Sequence, residues 1–190
     1  MSKRAIIIHC WDGYPDYCWY PVTKMELEAR GFDVQVPEMP ETEAPKLSLW
    51  LPKLQEAIGT PDEELYLIGH SAGCITILRY LEKLPPGVKV GGVVLVAGFT
   101  DDLGYEELKN FFTTAVPLAD IREKAKGFVV IHSDNDPFVD LKFADIFKEK
   151  LGAEVIIKHN AKHFSGARDK EESCTSLPEV AQAVLRLAKQ

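Results

Sequence analysis

What this sequence lacks narrows its function before any motif is read. It has no basic run: 22 Lys and Arg stand against 29 Asp and Glu, a formal net charge of −7. A surface of that sign repels phosphate backbones and anionic lipid heads, which argues against nucleic acid and membrane as partners. Its four cysteines, Cys10, Cys18, Cys74 and Cys174, form no C-x-x-C pair, so neither a zinc ribbon nor a thiol redox motif is written here. A chain of 190 residues should bury about 70% of its unfolded surface and needs no disulfide staples. Reduced thiols and a cytoplasmic location are therefore expected. No long apolar run opens the chain: Met1-Ser2-Lys3-Arg4 leads into Ala5-Ile6-Ile7-Ile8 alone. That is too short for the core of a signal peptide or for a membrane span. Metal-ligand clusters, glycine-rich phosphate cradles, internal repeats and low-complexity tracts are missing too, so no cofactor is expected.

What is present is an ordinary globular composition, 46% hydrophobic and 27% charged, best read as one domain over 1–190. Short apolar runs alternate with longer amphipathic ones. The runs predict strands over 5–8, 32–36, 64–68, 90–97, 127–132 and 153–158. Helices are predicted over 20–30, 46–58, 72–84, 139–151 and 178–188, with Pro52 interrupting the second or marking its real start. Gly91 and Gly92 suggest close packing at the fourth strand. The stretch 100–126 is less regular, with helical pieces near 105–112 and 118–124. Alternating strands and helices imply a parallel sheet covered on both faces. Ligands of such sheets bind at the carboxyl ends of the strands, so the residues that follow strands carry the information.

Gly69-His70-Ser71-Ala72-Gly73 follows the third strand and opens a helix, the G-x-S-x-G context of a nucleophile elbow. Ser71 would sit on a strained turn with its hydroxyl exposed, and small residues two before and two after would avoid collision between strand and helix. Three fixed positions at about 7% usage arise by chance in roughly one chain in twenty of this length, so the strand-turn-helix setting matters. The plainer reading is a βα turn with Ser71 as a helix cap. An acid follows the fifth strand in Ser133-Asp134-Asn135-Asp136-Pro137-Phe138, and His163 follows the sixth. The order Ser…Asp…His is that of α/β-hydrolases. His163 would be the general base and then the acid, and an aspartate would orient its imidazole. Asp134 and Asp136 compete for that place, and Asp136 is preferred. The loop after the first strand, His9-Cys10-Trp11-Asp12-Gly13, should supply an oxyanion-hole N–H from Trp11 beside that of Ala72. His9 reads as a scaffold, His70 as a packing residue, and His132 and His159 as strand-end residues. Trp11, Tyr14, Phe99, Phe111 and Phe138 are candidate pocket walls, with Cys10 beside them.

These motifs together resemble the small serine hydrolases grouped with retinoblastoma-binding protein nine. The resemblance runs from Ile6 to about Leu187. It is carried by His9-x-Trp11 with Trp19-Tyr20-Pro21, by Leu27-Glu28-x-Arg30-Gly31-Phe32-x-Val34 and Pro37-x-Met39-Pro40, and by Ala44-Pro45 with Trp50. The elbow, Asp134-x-Asp136-Pro137-Phe138-Val139 and His163-Phe164 complete it. It implies a compact α/β-hydrolase fold: a six-stranded, mainly parallel sheet in the order 2-1-3-4-5-6, helices on both faces and no large lid. It implies a triad of Ser71, Asp136 and His163, and hydrolysis of small acyl esters. Two positions depart from the family pattern, Cys10 and Lys162, where the family usually has glycine. A thiol at Cys10 could compete as nucleophile.

The leading expectation is thus an acyl-ester hydrolase acting on a small molecule through an acyl-enzyme, its rate rising as His163 loses its proton. One alternative is a protein-binding module of the same fold with weak or vestigial activity, its partner unknown. Another is an altered or designed variant with thiol chemistry at Cys10.

Overall fold

The computed structural model describes residues 2–165 and 174–189. Six strands form one sheet: β1 (Arg4–Ile8), β2 (Asp33–Gln35), β3 (Leu65–His70), β4 (Gly92–Val96), β5 (Phe128–Ser133) and β6 (Glu154–Lys158). Every pairing is parallel and the order is β2-β1-β3-β4-β5-β6. The four inner strands are buried almost throughout, which is why they read as continuous apolar runs rather than alternating ones. The order reverses between β1 and β3, and the loops there hold the elbow.

Helices α1 (Tyr20–Glu28) and α6 (Pro178–Leu187) pack together on one face. The other face carries α2 (Leu47–Ile58), α3 (Ala72–Glu82), α4 (Leu118–Ile121) and α5 (Lys142–Leu151). Helix α6 lies so close to β4 that a Cβ on Gly92 would stand 2.8 Å from Leu187; on the chain just before β4, a Cβ on Gly91 would stand 2.4 Å from the Glu63 carbonyl oxygen. Both glycines expected to mark close packing do so.

Element ends shift by a residue or two throughout, and three departures from the sequence prediction have a visible cause. Helix α2 runs straight through Pro52. The ring removes one backbone hydrogen bond, but burial of Trp50, Leu51, Leu54 and Ile58 outweighs that loss. The free amide at its start, Leu47 N–H, donates to Asn110 Oδ1 at 2.7 Å. Strand β3 continues to His70, two residues beyond the apolar run, because Gly69 and His70 keep pairing with Leu95 and Val96 of β4. Helix α5 begins at Lys142 rather than 139, since the turn before it is held by the Asp136 and Asp140 carboxylates.

The stretch between β4 and α4 contains a 3-10 helix, Glu106–Phe111. Buried Arg79 of α3 pins it, donating to the carbonyls of Phe111 at 2.8 Å and Thr114 at 2.5 Å. This stretch forms one wall of the pocket described next.

Candidate active site

Ser71 stands between β3 and α3 with φ 53° and ψ −116°, a backbone conformation that costs a non-glycine residue about 1–3 kcal/mol. Its hydroxyl makes no capping hydrogen bond to α3, so the plainer reading of Ser71 as a helix cap does not hold. The flanking glycines are required by contact. A Cβ on Gly69 would lie 2.8 Å from the Cys74 backbone, and one on Gly73 would lie 2.2 Å from the Ile8 carbonyl oxygen. Gly69 therefore clears the helix, as expected, whereas Gly73 clears the neighbouring strand β1. The tight turn also aims the N-terminus of α3 at the pocket, where its unpaired amides favour negative charge.

The loop after β5 is tied to the loop after β6 residue by residue. Ser133 Oγ accepts from Ala161 N–H at 2.9 Å, Asp134 Oδ1 from Asn160 N–H at 2.9 Å, and Asn135 Oδ1 from Lys162 N–H at 2.9 Å. Asp136 completes the set with Oδ2 at 2.8 Å from His163 Nδ1, while its Oδ1 accepts from the amides of Phe138 and Val139. The two aspartates are thereby separated. The Asp136 carboxylate is 1% exposed and faces His163. Asp134 pairs at 2.5 Å with His159, whose side chain is 81% exposed. With Nδ1–H donated to Asp136, His163 presents Nε2 as its free-electron-pair nitrogen, and the edge of Phe138 packs against the ring at a centroid distance of 5.1 Å.

Ser71 and His163 line one pocket of about 340 Å³ with Cys10, Trp11, Tyr17, Leu103, Tyr105, Leu108, Phe138, Val139 and Ser165. Of the expected walls, Trp11 and Phe138 line it. Phe99 and Phe111 are buried in the core instead, and Tyr14 borders a separate cleft beside Glu38 and Glu41. Of the walls that sequence reasoning missed, Tyr17, Val139 and Ser165 come from three separate segments, and Leu103, Tyr105 and Leu108 from the irregular 103–108 stretch, which carries no periodicity to show which way its side chains face. Trp11 is fixed by its ring N–H on the Glu43 carbonyl at 3.0 Å and by an edge contact with Tyr105 at 5.8 Å.

Cys10 is accommodated where the resemblance expects glycine because its backbone is not left-handed. Lys162 is left-handed, at φ 50°, so glycine would relieve strain there. His9 is a scaffold: Nδ1–H donates to the Cys10 carbonyl at 2.9 Å, Nε2 accepts from Met39 N–H at 3.0 Å, and the ring lies edge-on to Trp50. His132 is a strand-end residue, as expected: the penultimate residue of β5, fully buried, with Nε2–H on the Gly98 carbonyl at 2.9 Å. His70 is more than the packing residue expected. Its two nitrogens meet Tyr20 Oη at 2.7 Å and the His163 carbonyl at 2.8 Å.

Burial, with the neighbouring His163, pushes the His70 pKa down to about 3, and burial lowers those of His9 and His132 as well. Between about pH 6.5 and these lowered values the unfolded chain binds protons that the native one does not, so stability falls as pH falls. His70 alone should cost about 2 kcal/mol between pH 7 and pH 5, with the other two acting in the same direction. Urea unfolding at the two pH values measures this; equal stability at both would show that the histidines are not held neutral.

A sequence profile described as serine hydrolase matches residues 5–185. YdeN of Bacillus subtilis is 33% identical over 179 residues, covering 94% of this chain and 92% of that protein. Its crystal structure superposes with a TM-score of 0.91, 31% identity and full coverage of both chains. The serine hydrolase RBBP9 of Rattus norvegicus is 28% identical over 149 residues, 77% of each protein. Est1E of Butyrivibrio proteoclasticus, solved with ferulic acid bound, shares the fold at a TM-score of 0.72 and 15% identity, over 98% of this chain and 90% of that one. Among the described residues no helix is long and apolar enough to cross a membrane.

Proposed function

The chain belongs to the serine hydrolase family and is a hydrolase, and from that premise we propose that it cleaves small acyl esters through a Ser71–His163–Asp136 triad. The observation that carries this reading is the hydrogen-bonded Asp136–His163 pair facing the same apolar pocket as a strained serine whose hydroxyl caps nothing.

The steps follow from the donors and acceptors. Nε2 of His163 takes the proton of Ser71 Oγ as that oxygen attacks the acyl carbon. Asp136 stabilises the imidazolium through Nδ1–H. The oxyanion is met by the amides of Ala72, at the start of α3, and of Trp11. The Cys10 amide is committed to Tyr20 Oη at 3.0 Å and so is not the donor proposed from this loop. His163 then returns the proton to the leaving alcohol, and water cleaves the acyl-enzyme by the same route in reverse.

The pocket is apolar and bounded, so it selects by chain length. Each methylene that finds room contributes about 0.8 kcal/mol, roughly fourfold in kcat/KM. A series of 4-nitrophenyl esters from acetate upward tests the reading: kcat/KM should climb over the first several carbons and then fall. Tyr105 is partly exposed and closes the pocket against Trp11. Tyr105→Ala should move the optimum to longer chains without unfolding the protein. If no ester in the series turns over above the buffer rate, the ester assignment fails.

A further inference from the structure

A buried chain of hydrogen bonds links the loops that carry the oxyanion donor, the nucleophile and the base. It begins at Cys10 N–H, which donates to Tyr20 Oη at 3.0 Å. Tyr20 Oη lies 2.7 Å from His70 Nδ1, and His70 Nε2 lies 2.8 Å from the backbone carbonyl of His163. Tyr20 is the first residue of α1, and His70 is the last residue of β3, immediately before Ser71. Both are fully buried.

The chemistry of the end groups fixes the direction of the whole chain. A backbone carbonyl can only accept, so His70 Nε2 carries the hydrogen. Neutral imidazole then has a bare Nδ1, and Tyr20 must donate to it. That leaves the Tyr20 lone pairs for the Cys10 amide. Every polar atom along the path is satisfied, and reversing one link would set two donors or two acceptors against each other. Burial keeps both groups neutral: it raises the Tyr20 pKa, and with His163 nearby it takes that of His70 to about 3.

The loop that presents His163 needs such a support. Asn160, Lys162 and Phe164 are all left-handed, at φ 54°, 50° and 55°. Residues in that region persist only when their surroundings hold them there. Asp136 holds the His163 ring, and His70 holds its backbone. We propose that Tyr20 and His70 are positioning residues for the hydrolysis, a relay that sets His163 and the oxyanion loop against Ser71. This rests on the triad assigned above.

Two variants divide the relay. Asn in place of His70 puts an acceptor near the Nδ1 position and loses the donor to the His163 carbonyl. Gln puts a donor near the Nε2 position and loses the acceptor for Tyr20. The His163 link is the one that aims the base, so kcat of His70→Asn should fall at least tenfold below that of His70→Gln, with KM changed less than threefold. Tyr20→Phe should lower kcat about tenfold and slow fluorophosphonate labelling of Ser71 in parallel. Nitrogen-15 NMR of the imidazoles gives a readout independent of turnover, and the His70 ring should be the Nε2–H tautomer. Equal kcat in the two His70 variants, losses that vanish when assayed further below the melting temperature, or an Nδ1–H tautomer would each overturn the relay while a labelled wild type keeps the triad. A folded wild type that does not label at Ser71 would overturn the triad and the role given to the relay with it.

Discussion

Ser71→Ala is expected to abolish covalent labelling by a fluorophosphonate and to lower kcat by roughly 10⁴-fold or more, because in the proposed mechanism the Ser71 oxygen forms the acyl-enzyme. The protein should stay folded, since the Ser71 hydroxyl makes no capping bond and alanine occupies less space. Peptide mapping of the labelled wild type should place the adduct on the segment containing Ser71. The competing outcome is specific too. Cys10 lines the same pocket and a thiolate is intrinsically the better nucleophile. Turnover that survives Ser71→Ala and disappears on Cys10→Ser would move the nucleophile to the thiol. Cys18 and Cys74 do not enter this contest, because burial pushes both thiols far up in pKa, away from the reactive thiolate.

The second large effect separates two aspartates two residues apart. Asp136→Asn keeps an oxygen for the Phe138 and Val139 amides but removes the charge opposite His163 Nδ1. Without that anion the ring is free to take the wrong tautomer and the imidazolium loses its partner. A loss of roughly 10⁴-fold in kcat is the expected scale for such a change. Asp134→Asn should leave kcat within about threefold. Its charge faces exposed His159, where solvent screens the pair, and asparagine can still accept from the Asn160 amide. Steady-state kinetics on both variants decides the matter. Equal losses, or a larger loss at Asp134, would show that the 2.8 Å contact between Asp136 and His163 is not the catalytic one.

How far the sequence reached depended on how local each signal was. The six strands were legible because buried parallel strands are continuous β-branched runs, and the elbow because a sharp strand-to-helix turn admits only small flanking residues. Strand and helix ends were less legible. β3 outlasts its apolar run because β4 continues beside it, and α2 survives Pro52 because four buried side chains hold it. The pocket walls were half legible. Trp11 and Phe138 sit in the loops that follow strands and could be anticipated, whereas Leu103, Tyr105 and Leu108 lie on an irregular stretch whose far end is held by Arg79, some thirty residues away in the chain.

By itself, then, the amino-acid sequence determined the alternation of strands and helices, the strained turn at Ser71 and the order in which a serine, an acid and a histidine follow successive strands. All of these are consequences of short-range sterics and hydrophobic periodicity. Only the tertiary structure decided which aspartate meets His163, which aromatic rings face the pocket, and that His70 joins three loops instead of merely packing. Those outcomes depend on distances between segments remote in the chain, and no local pattern encodes them.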